Sequence, residues 1–150
     1  MLYAGIVVVF VVLDQIVKYL VRANIELGEV VDFIPHLLGL TYVQNTGAAF
    51  SILSGQRIFL ILLPAVVVAI IILYIILKKP QNKLLMLSFS LIISGGIGNL
   101  IDRIRLGYVI DFLDFRLINF PVFNIADIWV TLGAALFVCL LLFSKEDNIV

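Results

Sequence analysis

Asn124 and Asp127 close the stretch PVFNIAD at 121–127, and the residues that follow, IWVTLGAALFVCLLLF, have the composition of a membrane-spanning helix. An ionised carboxylate at membrane depth costs at least about 2.5 kcal/mol, so Asp127 is read as functional. Asn124 lies three residues before it, on the same helical face, and Thr131 continues that face. Two other polar pairs show the same kind of spacing. Asn99 and Arg103 are four apart with Asp102 beside them, and Asp14 and Lys18 are four apart in the favourable acid-first order. A second carboxylate, Asp111 in GYVIDFLDF, stands sixteen residues ahead of Asp127. Two carboxylates brought close together cannot both ionise cheaply. One keeps a proton and serves as acid while the other serves as base toward a water between them. Such a pair can hydrolyse a peptide bond without a metal or a covalent intermediate.

Other hydrolytic chemistries find less support. The one histidine, His36, lies in the long connection after the first helix and no H-E-x-x-H occurs, which argues against a metal site. No candidate serine has a histidine near it, and nothing around Cys139 would activate a thiol. Cys139 sits in an apolar run as a small lipid- or core-facing residue, and a single cysteine forms no internal disulfide.

The elements that must position these side chains follow from hydropathy. Of the 150 residues, 63% are hydrophobic and 13% are charged, and the mean hydropathy is +1.22. A soluble domain is about half apolar and about a quarter charged, so this is an integral membrane protein. Its length suits one membrane-embedded domain over 1–150. Zero net charge gives no reason to expect a nucleic-acid partner. Spanning about 30 Å of hydrocarbon takes roughly 20 residues of helix, and four stretches qualify, over about 2–20, 58–77, 84–101 and 123–143. The first lacks a basic flank and a small-residue cleavage site, so it is expected to be a retained helix rather than a secretory signal.

Between the first two helices, 23–56 contains short β-like pieces such as LTYVQ bounded by Gly and Asn-Thr-Gly, which predicts a small sheet at the membrane surface. The joint between the third and fourth helices, DRIRLGYVIDFLDFRLINFP, mixes three arginines and three aspartates with aromatics and reads as an interfacial segment. The fold class is therefore all-α and membrane-spanning, with four helices, a surface β-rich segment and an interfacial joint. Charge does not orient it. Six basic residues on the long-connection side face four on the other, Lys145 among them, and the difference vanishes if Lys18 and Arg103 serve nearby aspartates.

Blander roles suit several of these residues. Asp14 with Lys18 also reads as a structural pair, and Asp102 with Arg103 as a cap on the third helix. Asp114 and His36 read as exposed surface groups, Trp129 as a membrane anchor or packing residue, and Gly95, Gly96 and Gly98 as a packing surface. A rival class, a small transporter or ion-pathway subunit, would also carry intramembrane Asp, Asn and Arg, but its polar residues should continue to both membrane faces. Here they gather toward one side, and the second helix has none.

Five stretches together, LDQIVK at 13–18, NTGAAFS at 45–51, GGIGNLIDR at 95–103, GYVIDF at 107–112 and FNIAD at 123–127, resemble the lipoprotein signal peptidase (signal peptidase II) family, in that family's order and over nearly the whole chain. The resemblance implies an intramembrane aspartyl endopeptidase with Asp111 and Asp127 as the catalytic aspartates. It implies that Asn45, Gly47, Asn99, Arg103 and Asn124 line the site and hold the dyad or the substrate backbone, with Asp14 and Lys18 in support. It further implies a substrate class, diacylglyceryl-modified prolipoproteins cut before the lipidated cysteine, in contact with membrane lipid, with inhibition by globomycin-type cyclic peptides. No cofactor and no metal are implied. The expected setting is the bacterial cytoplasmic (inner) membrane, as a monomer with both termini cytoplasmic and the site near the outer leaflet. The connection after helix one and the joint at 104–120 are expected to move over the substrate.

Overall fold

The computed structural model describes residues 1–48, 52–118 and 120–143. Positions 49–51 of NTGAAFS, and Lys145 with the rest of the tail SKEDNIV, lie outside the described residues. The chain runs α1 (Leu2–Asn24), β1 (Val30–Ile34), β2 (Leu38–Asn45), α2 (Arg57–Lys78), α3 (Lys83–Arg105), β3 (Val109–Phe115) and α4 (Ile125–Phe143). All four helices are long and apolar enough to cross a membrane. At 1.5 Å per residue, even the 19-residue α4 reaches about 29 Å.

Burial in the helices is inverted relative to a soluble protein. The buried residues of α1 are Asp14, Lys18 and Val21, while Val8, Val9, Val12, Leu13 and Ile16 are exposed. Apolar side chains facing outward are at no disadvantage in lipid, whereas charges must be matched inside. α3 is the central post, packing against α1, α2 and α4. Its small residues explain how closely. A Cβ on Gly95 would collide with the Ala126 carbonyl oxygen of α4, and one on Gly133 of α4 would come within 2.8 Å of the Ser88 carbonyl oxygen. The α3–α4 contact is thus a small-residue seam, the kind that membrane helices use in place of a hydrophobic drive. A stacked pair, Phe10 on α1 and Trp129 on α4 with centroids 4.4 Å apart, joins those two helices.

The sheet departs from expectation. The 23–56 connection does supply strands, the hairpin β1–β2. The joint at 104–120, expected as an interfacial segment, supplies a third strand over 109–115, and the antiparallel order is β1-β2-β3. Alternation along β3 is the reason. Ile110 and Phe112 point into a core with Val21 and Tyr42, which leaves Val109 and Asp111 on the opposite face with Val43 and Asn45 of β2. Phe123 then pairs with Leu113 through hydrogen bonds in both directions (2.8 and 3.2 Å), so the approach to α4 is stitched to β3. Those bonds hold 121–123 outside the helix, so α4 starts at Ile125, later than expected from hydropathy.

α3 continues to Arg105, beyond the expected end at 101. Asp102 and Arg103 are therefore not caps on a terminus. Asp102 lies inside the helix and is 3% exposed, with Lys18 opposite it.

Candidate active site

The start of α4 fixes both residues of the FNIAD stretch. Asn124 is the N-cap: its side-chain oxygen accepts the backbone N–H of Asp127 at 2.9 Å, and the Asp127 carboxylate accepts the backbone N–H of Asn124 at 3.2 Å. This is a reciprocal arrangement of the capping-box type, which satisfies two donors that a helix start leaves open. Another is met from a different helix, since Asp14 Oδ1 of α1 accepts the Ala126 N–H at 3.1 Å. Gly98 leaves room for that reach, because a Cβ there would sit 2.6 Å from Asp14 Oδ2.

Because the Asn124 oxygen is occupied by the helix, its Nδ2 points the other way and donates to Asp111 Oδ1 at 2.6 Å. Asn124 therefore touches both aspartates at once. Asn45 behaves alike from β2. Its oxygen accepts the Gly47 N–H at 2.9 Å and its Nδ2 donates to Asp111 Oδ2 at 2.8 Å. Asn99 completes the set from α3, accepting from Lys18 Nζ at 3.0 Å and donating Nδ2 to Asp127 Oδ1 at 2.8 Å. Each amide has its oxygen turned to a donor and its nitrogen turned to a carboxylate. All four oxygens of Asp111 and Asp127 receive a hydrogen bond, yet among the described residues no cation bonds either directly. Neutral amides orient the two acids without removing the proton they would share.

Beneath this layer is a charged one. Lys18, 1% exposed, bonds Asp14 at 2.9 Å and Asp102 at 3.0 Å, and Gln15 bridges the same aspartates and the Gly98 carbonyl. Asp102 also accepts the Ile110 N–H at 3.2 Å, tying α3 to β3 next to Asp111. Arg103 donates to the Gly47 carbonyl at 2.9 Å rather than to an aspartate, so it holds the NTG turn beside the site. Arg57 at the start of α2 donates to the carbonyls of Arg103 and Ile104, a cation on the negative end of α3.

The two aspartates open onto a cavity of about 790 Å³ whose wall includes Asn45, Asn99, Arg103 and Thr131 with apolar surface from Pro64 and Leu132. Burial pushes the Asp111 carboxyl up to about 6. Its amide bond from Asn45 opposes the rise, and the Asp127 charge adds to it. That is the environment of an acid able to hold a proton near neutrality.

All nine residues expected at the site from the sequence, Asp14, Lys18, Asn45, Gly47, Asn99, Arg103, Asp111, Asn124 and Asp127, fall in this one network. Gln15 and Asp102 were not among them and are equally embedded. Asp102 follows Asn99 by three residues, so the shared face was readable; its partner on another helix was not. His36 is exposed, as expected. Asp114 pairs with Arg116 at 3.2 Å on the sheet rather than standing alone in solvent. All three glycines expected to pack do so, Gly95 against α4, Gly96 against Val68 of α2 and Gly98 against Asp14 and Ala126.

Comparison with known proteins is concordant. Residues 6–143 match the family model for signal peptidase (SPase) II. A lipoprotein signal peptidase of Streptococcus thermophilus is 46% identical over 136 residues, covering 91% of this chain and 88% of that protein. One from Streptococcus pyogenes is 43% identical over 140 residues, covering 93% and 91%. Among solved structures, a bacterial membrane enzyme determined by the in meso method superposes with a TM-score of 0.92 at 33% identity, covering 97% of this chain and 90% of the other. A second in meso structure gives 0.87 at 34% identity, covering 95% and 94%.

Proposed function

The chain belongs to the signal peptidase II family, multi-pass membrane peptidases that remove signal peptides from prolipoproteins, and we propose that it does so as an aspartyl endopeptidase with Asp111 and Asp127 as its catalytic pair. The observation that carries this reading is the double contact of buried Asn124, whose side chain bonds Asp111 while its backbone bonds Asp127, behind the wall of one cavity that both aspartates line. In the proposed cycle the ionised member of the pair takes a proton from a water. The water oxygen bonds to the scissile carbonyl carbon, and the protonated member gives its proton to the carbonyl oxygen. Collapse then breaks the C–N bond: the departing amine takes up the proton the base had gained, and one hydroxyl of the intermediate returns its proton to the other aspartate as the carboxyl group forms. Burial favours Asp111 as the member that starts protonated, although the titration belongs to the pair.

The remaining particulars are part of the same proposal. The cut falls before a diacylglyceryl-bearing cysteine, whose acyl chains suit the apolar side of the cavity and the surrounding lipid. A globomycin-type cyclic peptide would compete for the same space. The chain acts as a monomer in the bacterial cytoplasmic membrane, with both termini cytoplasmic and the sheet end of the bundle at the outer leaflet. The transporter reading is not favoured: Ser90 and Ser94 farther along α3 return their hydroxyls to carbonyls of their own helix rather than extending the polar network.

Purified protein incubated with a lipidated precursor should release the signal peptide, with mass spectrometry placing the cut immediately before the modified cysteine. The rate should be bell-shaped in pH and insensitive to EDTA. Unimpaired cleavage by Asp127→Asn would overturn the mechanism.

A further inference from the structure

Lys18 has three ammonium hydrogens and three acceptors: Asp14 Oδ2, Asp102 Oδ2 and Asn99 Oδ1, at 2.9, 3.0 and 3.0 Å. The first two neutralise buried carboxylates. The third goes to a neutral amide, and charge matching does not require it. A primary amide is nearly symmetric in shape, so only its hydrogen bonds decide which end is oxygen. At Asn99 the oxygen receives two donors, Lys18 Nζ and Asn124 Nδ2 at 3.2 Å, and the nitrogen donates to Asp127. Turned over, the nitrogen would face both donors and the oxygen would face a carboxylate. Three repulsive contacts would replace three favourable ones.

We propose that Lys18 is a positioning residue: its ammonium locks the Asn99 amide with its N–H toward Asp127 and so sets the protonation balance of the aspartate pair. The inference rests on the two-aspartate reading above. Asp14 and Asp102 each hold partners besides Lys18, namely the Ala126 N–H for Asp14, Gln15 and the Ile110 N–H for Asp102. Neutralisation is therefore only part of what the lysine does. The charged groups around the amide are Asp14 and Lys18 from α1, Asp102 and Arg103 from α3, Asp111 from β3 and Asp127 from α4. Lys18 also acts on Asp111 through space, in the direction that favours its charge. The sign of the effect follows. A donor at Asp127 favours the ionised form of the pair, so losing it makes the pair hold its proton to higher pH.

The test is the pH dependence of kcat/KM on a lipidated precursor for Lys18→Met, Asn99→Ala and the double variant, each checked for folding by its thermal transition in detergent. Because Lys18→Met leaves two buried carboxylates without an ammonium, it is also made in an Asp102→Asn background, with Asp102→Asn alone as its reference. Lys18→Met is expected to lower kcat roughly 10- to 100-fold with KM within about twofold, and to move the acid limb upward by ~0.5–1 unit. Asn99→Ala should move the same limb in the same direction, and the double variant should move it by less than the sum of the two shifts, the small excess over Asn99→Ala being the through-space action of Lys18 on Asp111. A purely structural lysine would instead scale the whole profile down without displacing it. An acid limb unmoved in Asn99→Ala overturns the proposal however the Lys18 variants fold. So does an unmoved limb in the Asp102→Asn background, or shifts that add in the double variant. Asp127→Asn separates the two readings. If it retains turnover, the aspartate pair itself is wrong; if it is dead while the limb stays put, only the role given to Lys18 fails.

Discussion

The two ends of the helical bundle are built on opposite principles. At the sheet end, α1, α3 and α4 bury Asp14, Lys18, Asp102 and Asn124, each 3% exposed or less, and tie them together with side-chain bonds. At the other end, Leu85, Phe89 and Leu140 pack with Tyr74 and Phe137, with Tyr74 edge-on to Phe89 at 5.6 Å. Its lysines, Lys78, Lys79 and Lys83, border a turn in which Asn82 caps α3 by accepting two backbone N–H groups. Apolar packing tolerates volume-conserving exchange, because many weak contacts share the load. A buried polar network does not, since each group left without its partner costs about 1–3 kcal/mol. The sheet end is thus specified atom by atom and the far end only by shape, and substitutions at the two ends should fail in different ways.

The largest effect is expected at the carboxylates. Asp111→Asn and Asp127→Asn should each lower turnover by roughly 10²–10⁴-fold or more, and the double variant should be little worse than either single one, because the pair acts as a unit. Both should still give a cooperative thermal transition. Near-parental turnover in either would break the contrast between the ends at its centre.

Asn124 comes next. Asn124→Leu removes the cap on α4 and the amide on Asp111 together, so turnover should drop by roughly 10²-fold and stability by about 1–3 kcal/mol. Asn124→Asp keeps an oxygen acceptor for the Asp127 N–H but places a third carboxylate beside the two of the proposed pair. Its stability loss should be smaller and its pH profile displaced further. Cleavage at the parental rate by Asn124→Leu would reduce Asn124 to a helix-end residue.

A smaller effect links pH to folding. The Asp111 carboxyl is held at about 6 in the folded protein against an ordinary value of 3.8, so the folded state binds its proton more tightly over that interval. This contribution favours folding fully below the ordinary value and is lost as pH rises through 6. Parental stability should therefore decline from pH 4 to 6 relative to Asp111→Asn. Thermal melts at intervals across that range check the sign, and a parallel pair of curves would count against a buried, protonated Asp111.

The smallest effect on catalysis is expected at the far end. Phe89→Ala should cost stability, up to about 3–5 kcal/mol if the cavity does not close, while kcat/KM per folded molecule stays within about twofold. Loss of turnover beyond the loss of folded protein would mean that the apolar end also shapes the site.

Local features of the sequence determined a good deal. Four spans were legible because hydropathy is a property of each segment alone, and the membrane makes nearly every residue of a span obey it. The pairs Asn124–Asp127 and Asp14–Lys18 were legible because helical spacing is set by 3.6 residues per turn whatever surrounds the helix. Tertiary structure alone decided the rest. β3 was hidden in GYVIDFLDF because its two faces meet different neighbours, a core on the side of Ile110 and Phe112 and the site on the side of Asp111. Asp102 lay in full view in the sequence, but its partner Lys18 is 84 residues away on another helix. So, too, with the amides: the oxygens of Asn45 and Asn124 meet local backbone donors, but only the crossing of α1, α3, α4 and the sheet gives the Asn99 oxygen its lysine and brings all three nitrogens to carboxylates. Spacing along one helix fixes a face. Which charge or amide meets that face depends on helices and strands remote in sequence, because an apolar exterior lets each helix rotate freely in lipid until its polar groups find one another.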